Sequence, residues 1–357
     1  MRVSNGDYLR TMRKTLAFLP LLAGFFVQAQ TPNSIEAVEH DPDGNRWFVS
    51  NGSSLLVTED QGESWAFFGE AVASHGMEVM NGVLYAIGSN VIRAYDLESA
   101  DMLGSLTIPG TGFLNGMGNN GAGLLVVSDF QGNKLYAVNA ENPEDMSHSQ
   151  LTGNLGASPN GVVIDTDNNR AIVVCWGNNA DILAVDLESG DVSTLVDGTG
   201  LANLDGIDND GNDQYYVSSW SPTRITRFNA DFSESETVVT GAAGLSSPAD
   251  ISYAVGLDTL GVANSGTDNV TFHGFGDPAT QVLEHTAFAV RRAGGDMILD
   301  MPSGSMVHVT AYDAAGRTLV RRSEFLPGGQ FRWPWPLKGQ QTGFVQVRSG
   351  AEVRILR

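Results

Sequence analysis

Cysteine is nearly absent from this chain, which has one, Cys175, among 357 residues. An internal disulfide is therefore excluded, and stability has to come from packing or from a bound ion. Cys175 lies in the apolar run AIVVCWG, which is typical of a strand. We expect a buried, unreactive thiol there rather than a nucleophile.

Basic side chains are scarce in the central part of the chain. Residues 30–276 carry six basic and 33 acidic side chains. Such a negative surface repels phosphate backbones and anionic lipid headgroups. We therefore expect no nucleic-acid partner for this region, and we expect it to attract cations instead.

The apolar run LAFLPLLAGFFV, residues 16–27, is too short to span a membrane, because a spanning helix needs about 20 residues. It follows Arg10, Arg13 and Lys14 and precedes the small residue Ala29. This order predicts a secretory signal peptide over residues 1–29, with an uncleaved signal anchor as the alternative. The protein is expected to be secreted or held at the cell surface.

Sustained helical periodicity is also missing, and six repeating units spaced by 39 to 45 residues stand in its place. Each unit has a turn, an apolar strand, a second apolar strand and a polar hairpin. The second strands read RWFVSN, VLYAIGS, LLVVSD, AIVVCW, QYYVSSW and LGVANS. Four-stranded units of this length predict an all-β protein with a six-bladed β-propeller over residues 30–276.

The segment TEDQGESW, residues 58–65, resembles the Asp-box of sialidases and related propellers, with Asp60, Gly62 and Trp65 at the motif spacing. In those folds the motif is a hairpin turn on the outside of a blade. The resemblance supports the propeller and does not imply sialidase activity.

One turn position varies in an unusual way among the units. It is occupied by Glu36, His75, Asn115, Asn160, Asp205 and the pair Ala249/Asp250. In a propeller this position begins the innermost strand of each blade, so the side chains converge on the central channel. Carboxylate and amide oxygens are the ligands that calcium prefers. The sequence therefore predicts a calcium site, although Asn and Asp also favour turns for local reasons that do not explain Glu36.

Two other acidic runs, DPDGN at 41–45 and DNDGND at 208–213, superficially resemble calcium loops. Their glycines fall at the wrong offset, and no Glu follows at the twelfth position of either run. Both runs are predicted to be hairpin turns.

Residues 34–276 resemble the six-bladed calcium-dependent propellers that include regucalcin/gluconolactonase (the senescence-marker-protein family), diisopropyl-fluorophosphatase and the paraoxonases. Glu36 in SIEAVEHD, Asn160 in SPNGVVID and Asp205 in LDGIDNDG match their axial metal ligands, and Asn115 in FLNGMGNN fits with the loss of an Asp. The resemblance implies an axial Ca²⁺ held by Glu36, Asn115, Asn160 and Asp205. The Arg and Glu that grip sugar hydroxyls in the gluconolactonase branch have no match here, so gluconolactone is not the expected substrate.

These features lead to a calcium-dependent hydrolase of the lactonase/arylesterase type that acts on a small molecule. Asp205 is the expected catalytic carboxylate, because it combines a base with a place at the metal, unless a metal-bound water is the nucleophile. His75 is a second catalytic candidate, with a structural role as its alternative. The competing hypothesis is a non-catalytic binding propeller whose calcium ties the blades together.

The C-terminal part, residues 277–357, differs in composition, with ten basic and seven acidic side chains. Its short alternating strands from about Thr286 predict a small β-sandwich. It resembles the type A sorting domain of the type IX secretion system of Bacteroidetes, and the match is carried by Tyr312, Asp313, Gly316, Arg317, Gly343, Phe344 and Val345. The resemblance implies the type IX machinery as a partner; a carbohydrate- or partner-binding accessory domain is the alternative. The protein is expected to be a monomer.

Overall fold

A computed structural model describes residues 30–275, 289–293, 296–301, 305–313, 318–326, 329–334, 336–337, 343–349 and 352–356. The predicted signal peptide, residues 1–29, lies outside these ranges. Strands dominate, and the helices of the described part are two 3-10 turns, Gly241–Ala243 and Val255–Leu257. Within those ranges, no helix is both long and apolar enough to cross a membrane.

Residues 38–274 form six antiparallel sheets in chain order, which are the six blades. Blade 1 contains β1 (Val38–Asp41), β2 (Arg46–Asn51), β3 (Ser54–Thr58) and β4 (Ala66–Phe67). Blade 2 contains β5 (Met77–Met80), β6 (Val83–Gly88), β7 (Val91–Asp96) and β8 (Met102–Thr107). Blade 3 contains β9 (Leu114–Asn119), β10 (Leu124–Asp129), β11 (Lys134–Asn139) and β12 (Ser147–Gln150). Blade 4 contains β13 (Ser158–Asp165), β14 (Arg170–Trp176), β15 (Ile182–Asp186) and β16 (Val192–Val196). Blade 5 contains β17 (Ala202–Asn209), β18 (Tyr215–Ser221), β19 (Thr223–Phe228) and β20 (Ser235–Thr240). Blade 6 contains β21 (Pro248–Ala254), β22 (Thr259–Asn264) and β23 (Asn269–Gly274).

The predicted all-β fold with six blades is confirmed, since each apolar run assigned to a second strand lies on β2, β6, β10, β14, β18 or β22. The expectation of four strands is not tested in full for blade 6. The sixth sheet has three strands rather than four among the described residues. A fourth strand that continued the meander would have to begin beyond residue 275, where the described part of the propeller ends.

Blade 6 closes the ring by packing directly on blade 1. The rings of Trp47 in blade 1 and Phe272 in blade 6 lie 5.0 Å apart, edge to face. They share a buried cluster that also contains Val38 and Ala263. At the inner edge, the Asp250 N–H donates to the Glu36 carbonyl at 3.0 Å. Apolar burial and a backbone hydrogen bond therefore join the first and last blades.

Glycines let the inner strands of neighbouring blades approach closely. A Cβ added to Gly161 in blade 4 would lie 2.5 Å from the Asp205 carbonyl oxygen of blade 5. A Cβ on Gly76 would lie 2.7 Å from the Asn115 carbonyl oxygen of the next blade. These distances are shorter than van der Waals contact, so a side chain at either position would push two blades apart.

Replacing Gly161 by Ala should therefore destabilise the propeller by about 3 kcal/mol, at the upper end of overpacking effects, because the clashing partner is backbone. Gly153→Ala is the matched control, since a Cβ there meets no atom within 4 Å. Thermal unfolding measured by circular dichroism should give a clearly lower melting temperature for Gly161→Ala alone. Equal melting temperatures for the two variants would contradict the close approach of the strands.

The Asp-box segment lies in the turn between β3 and β4, on the outer side of blade 1. The Asp60 carboxylate accepts hydrogen bonds from the Ser64 N–H at 2.9 Å, from the Ser64 hydroxyl at 2.5 Å and from the Thr58 hydroxyl at 2.6 Å. The segment is thus a hairpin turn remote from the channel, as expected.

Seven further strands form a second, smaller all-β unit. They are β24 (Ala289–Ala293), β25 (Asp296–Met301), β26 (Ser305–Asp313), β27 (Thr318–Leu326), β28 (Gly329–Pro334), β29 (Gly343–Ser349) and β30 (Glu352–Leu356). Their two sheets have the orders β24-β25-β28 and β27-β26-β29-β30. Leu299, Val309, Trp333 and Val347 are buried together between them. The unit is a small β-sandwich, as predicted.

The residues that suggested a sorting domain are partly placed. Tyr312 and Phe344 are paired on the neighbouring strands β26 and β29, and Val345 is buried one residue later. Gly316 and Arg317 lie outside the described residues. The predicted boundary at residue 277 also falls outside them and stays a prediction.

Candidate metal centre and channel

The inner strands of the six blades begin around one end of the central channel. The polar side chains near these starts at the predicted channel position, which we call the first ring, are Glu36, His75, Asn115, Asn160, Asp205 and Asp250. Glu36 lies two residues before β1, and His75 lies two residues before β5. Asn115, Asn160, Asp205 and Asp250 lie on β9, β13, β17 and β21. The structure thus places every predicted site residue at the start of an inner strand.

Local irregularities in strand pairing set the direction of three side chains of the first ring. The register between inner and second strand shifts between Pro159 and Val162, between Leu204 and Ile207, and between Pro248 and Ile251. Asn160, Asp205 and Asp250 lie within these shifts. A β-bulge leaves a residue unpaired and turns its side chain, which explains how a strand residue can project into the channel.

Buried serines in the second strands fix this irregular backbone. The Ser218 hydroxyl accepts an N–H of its own inner strand and donates to the Ala249 carbonyl of blade 6, each at 2.7 Å. Ser128 makes the same pair of bonds between blade 3 and the Asn160 carbonyl. Ser50 accepts two N–H groups at the start of the inner strand of blade 1. The serines thereby satisfy backbone groups that the bulges leave without ladder partners.

In blade 4 the corresponding place is taken by Val174, and Cys175 follows it, paired with Pro159. Cys175 is a free thiol with 1 % of its surface exposed. Burial, with the nearby charge of Asp181, raises the pKa of this thiol to about 12. The expectation of an unreactive thiol is confirmed, because the thiolate is the nucleophilic form.

Glu36, Asn160 and Asp205 interact with one another at the channel end. Asn160 and Asp205 are 2 % and 7 % exposed. Burial and the charge of Glu36 raise the pKa of Asp205 well above its usual range, while hydrogen bonding to Trp220 and Asn160 opposes the rise. Burial, followed by repulsion from Asp268, raises the pKa of Glu36 to about 7. No basic side chain contributes to either shift, so this acidic pair lacks a cationic partner among the described residues.

Asn115 and His75 are held by contacts that do not involve Asp205. The Asn115 carbonyl accepts the Gly76 N–H at 2.9 Å, which ties blade 3 to blade 2. His75 Nδ1 is 2.8 Å from the Ser74 hydroxyl, and the imidazole lies against Phe113. Burial lowers the pKa of His75 to about 4, so its ring is neutral near pH 7. None of the described contacts joins His75 to Asp205.

Within the described ranges, no group of three or more His, Cys, Asp and Glu side chains is placed to hold a metal ion. The four predicted calcium ligands are two carboxylates and two amides, so they are not a group of the kind just described. Glu36, Asn160 and Asp205 are brought together by the interactions above. The fourth, Asn115, lies on an adjacent inner strand and is linked to its neighbours here through its backbone.

A second set of channel groups was missed by sequence reasoning. The second ring consists of Glu39, Glu78, Asn119 and Asp208, which line a cavity of about 340 Å³ further along the inner strands. The Glu78 carboxylate accepts from Asn119 Nδ2 at 2.6 Å, and Glu39 Oε1 accepts the Val79 N–H at 2.9 Å. The channel is thus lined by acidic groups well beyond the first ring.

Crowding and burial change the acidity of the second ring. Burial and the charge of Asp208 raise the pKa of Glu39 to about 8. Burial raises the pKa of Asp208 to about 7, and burial together with its acidic neighbours raises that of Glu78 well above its usual range. The sequence predicts a hairpin turn over residues 208–213, and this prediction is wrong for Asp208. Asp208 lies instead on β17, and its carboxylate accepts the Tyr253 N–H of blade 6 at 2.5 Å.

Five partly exposed aromatic rings form a continuous series beside the first ring. This aromatic arc consists of His75, Phe113, Phe130, Trp176 and Trp220, with successive centroid distances of 4.6, 5.8, 6.0 and 5.0 Å. The Trp220 indole nitrogen is buried without a hydrogen bond of normal geometry. It lies close enough to the Asp205 carboxylate to lower the pKa of that group. The arc therefore adjoins the buried acid.

The arc crosses blades 2 to 5 at one level. Phe113 stands two residues before Asn115, and Trp176 is paired with Ser158, two residues before Asn160. The Phe130 N–H donates to the Phe113 carbonyl at 2.8 Å. A sequence signal did exist, because Trp176 and Trp220 end the second-strand runs AIVVCW and QYYVSSW, and Phe130 directly follows the run LLVVSD.

No protein-family model matches the chain, and no curated protein matches it. Among solved structures, a protein of unknown function from Bacteroides thetaiotaomicron is 9 % identical with a TM-score of 0.56, over 68 % of this chain and 70 % of that one. Regucalcin from Agrobacterium tumefaciens, a calcium-binding protein, is 14 % identical with a TM-score of 0.51, over 66 % and 83 %. The β-propeller domain of Cps50 (Swd1) from Myceliophteria thermophila is 6 % identical with a TM-score of 0.52, over 70 % and 99 %. At these identities the likeness establishes one conclusion, that residues 30–275 form a β-propeller.

Proposed function

We propose that the protein is a secreted calcium-dependent hydrolase of the lactonase/arylesterase type, with the ion at the first ring. The observation that carries the proposal is the pair of carboxylates at one channel end, Glu36 and Asp205, which interact with each other and have no basic partner. A buried charge is stable when it is paired or coordinates a metal. A cation between these groups would relieve their repulsion.

The residues present fit calcium. Glu36 and Asp205 offer carboxylate oxygens, Asn115 and Asn160 offer amide oxygens, and these are the hard ligands that calcium takes in groups of six to eight with water and substrate. The likeness in fold to regucalcin, a calcium-binding protein, supports the same choice. When bound, calcium supplies a Lewis acid that polarises an ester carbonyl or a phosphoryl oxygen.

The side chains around this site supply the remaining chemistry. Burial makes Asp205 a stronger proton acceptor than an exposed Asp, so it can take the proton of an attacking water. The proton that Asp205 takes from water would pass to the departing alcohol or phenol. His75 is neutral near pH 7 and has Nδ1 engaged by Ser74, which leaves Nε2 to hydrogen-bond the substrate. In the overall reaction, water forms a new bond to the acyl carbon, and the alcohol or phenol departs with a proton.

The test is hydrolysis of a panel of lactones, aryl esters and phosphotriesters by protein stripped with a chelator and then supplied with calcium. We expect turnover only with calcium, and a loss of about 100-fold or more in kcat for Asp205→Asn. Asp191→Asn is the control, because Asp191 is exposed on an outer strand connection. The absence of turnover across the panel, or an Asp205→Asn enzyme with full activity, would remove the proposal.

A second candidate is a non-catalytic binding propeller whose calcium is structural. The inter-blade bonds at the first ring favour it, since an ion there would add to a network that already joins neighbouring blades through Asn160 and Ala249. This alternative predicts calcium binding and stabilisation without turnover of any substrate in the panel.

The proposed location of the protein outside the cell rests on the N-terminal and C-terminal parts of the chain. Residues 1–29 would direct export to the periplasm, and residues 277–357 would engage the type IX machinery for passage to the cell surface or medium. Expression in a type IX-secreting Bacteroidetes bacterium should place the full chain outside the cell, and a chain lacking 277–357 should accumulate in the periplasm. Equal distribution of the two chains would favour an accessory binding domain.

A further inference from the structure

We propose that the aromatic arc and the first ring together bind an uncharged aromatic small molecule at the channel end. The site would take a flat, unsaturated ring against Phe113, Phe130, Trp176 and Trp220, with a polar group of the ligand directed to the Asp205 side. As a substrate class this inference rests on the proposed hydrolase function. As a ligand site it stands without hydrolysis.

The rings of the aromatic arc differ from the aromatic side chains of the core in their exposure to solvent. Aromatic side chains between blades, such as Trp47, Tyr85 and Tyr216, are at most 2 % exposed. All five rings of the arc are instead partly exposed, although each touches the next. Aromatic groups left open in this way, beside a few polar groups, are characteristic of small-molecule sites.

The arc is also rigid. Successive ring planes meet at 89°, 85°, 67° and 78°, so each ring is braced edge to face by its neighbour. Such aromatic pairs are favourable beyond the area that they bury. Four of the rings lie on or next to strand ends that are hydrogen-bonded into the blades. A ligand would therefore meet a preformed surface and lose little affinity to side-chain ordering.

Charge and hydrogen bonding narrow the ligand class. Glu36, Asp205 and Asp250 have no basic partner among the described residues, so an anion buried at this channel end would lack a counter-charge. A polyhydroxylated sugar would need free hydrogen-bond donors as well as acceptors, and donors are few at this end. The amide nitrogen of Asn160 already donates to Leu204, and His75 Nδ1 is engaged by Ser74. An uncharged aromatic compound meets both conditions.

The probe is acetophenone, a neutral aromatic ketone that cannot be hydrolysed, titrated into the full chain in the presence of a chelator. Tryptophan fluorescence reports binding, because Trp176 and Trp220 lie in the arc. Cyclohexyl methyl ketone has nearly the same shape without an aromatic ring, and we expect it to bind about fivefold more weakly. Benzoate should bind at least tenfold more weakly because of its charge, and glucono-δ-lactone should not bind measurably.

Trp176→Leu keeps an apolar side chain at the centre of the arc and should weaken acetophenone binding about tenfold, while Trp176→Phe should recover most of the affinity. Phe67→Ala is the control, since Phe67 is 52 % exposed on the outer strand of blade 1. Binding by these variants is followed by saturation-transfer NMR, which does not depend on the removed tryptophan. Equal affinities for the two ketones, or no effect of Trp176→Leu, would overturn the inference.

The experiments can disprove the proposed hydrolase function and the proposed ligand site independently of each other. Acetophenone binding without turnover of any ester leaves the ligand site and removes the hydrolase. Turnover with no preference for aromatic over cyclohexyl esters, together with equal ketone affinities, leaves the hydrolase and removes the aromatic site.

Discussion

Calcium is expected to raise the free energy of unfolding by about 2.7 kcal/mol when its free concentration is about 100-fold above the dissociation constant. The reason is mass action, since an ion that binds only the folded protein stabilises that state. Glu36, Asn115, Asn160 and Asp205 come from four different blades, so such a site exists only when the ring is assembled. Addition of a chelator should lower the melting temperature, and added calcium should restore it.

The variant that tests this site is Asp205→Asn, which removes one of two carboxylate charges with little change of shape. Calorimetric titration of the chelator-stripped proteins should show weaker calcium binding by Asp205→Asn than by the wild type and by the exposed control Asp191→Asn. Hydrolysis, if present, should be lost in parallel. Equal affinities for Asp205→Asn and the wild type, or no binding by the wild type at millimolar calcium, would exclude the proposed metal site.

The fold was largely predictable because a propeller repeats one local pattern. Short apolar runs such as LLVVSD at 124–129 coincide with whole second strands, since a strand buried on both faces between blades is apolar throughout. The approximate start of four inner strands was also predictable, because a polar residue followed by Gly recurs at 75–76, 115–116, 160–161 and 205–206. The close approach of neighbouring blades at Gly161 gives that pattern its physical cause. The expected turn at Asn160 and Asp205 was wrong, since both residues already lie on their strands.

The second ring could not be found from regular strand geometry. In a regular strand, side chains three positions apart point to opposite faces, so Asp205 and Asp208 should not share the channel. The bulge between Leu204 and Ile207 adds a residue and brings both carboxylates to the same side. Bulges are not visible in a single sequence, and the run DNDGND at 208–213 has the Asp, Asn and Gly residues that are typical of a turn, so the sequence does not reveal that Asp208 lines the channel.

The aromatic arc was missed for a different reason. Its members are separated in sequence by 17 to 46 residues, and no local pattern links them: Trp176 and Trp220 end apolar runs, whereas His75 and Phe113 lie among polar and glycine residues. Only the closing of the ring brings Phe130, Trp176 and Trp220 beside one another. Sequence periodicity identifies equivalent positions, but it does not tell which of them stay open to a ligand.

The calcium-free protein should lose stability as the pH rises from 6.5 to 8.5. The pKa values of Glu39 and Asp208 are raised to about 8 and about 7, so the folded protein holds protons that the unfolded chain has already released. Because the folded state binds more protons than the unfolded state in this range, the free energy of unfolding falls as the pH rises. His40 and His75 act oppositely, because burial lowers their pKa values from 6.5 to about 4, but their contribution is nearly complete by about pH 7.5, one unit above the value in the unfolded chain.

Since one pKa unit corresponds to about 1.4 kcal/mol, these coupled carboxylates should remove on the order of 3 kcal/mol across this range. Urea unfolding at pH 6.5, 7.5 and 8.5 in the presence of a chelator measures the change. Glu39→Gln keeps the shape of the side chain and removes both its titration and its repulsion of Glu78, so its stability should vary less with pH. Glu188→Gln, at an exposed position, should behave as the wild type does. If the wild type showed constant stability from pH 6.5 to 8.5, the second ring would not contain the crowded, protonated carboxyl groups inferred here, and Glu39, Glu78 and Asp208 would have to be ionised and solvated in the channel.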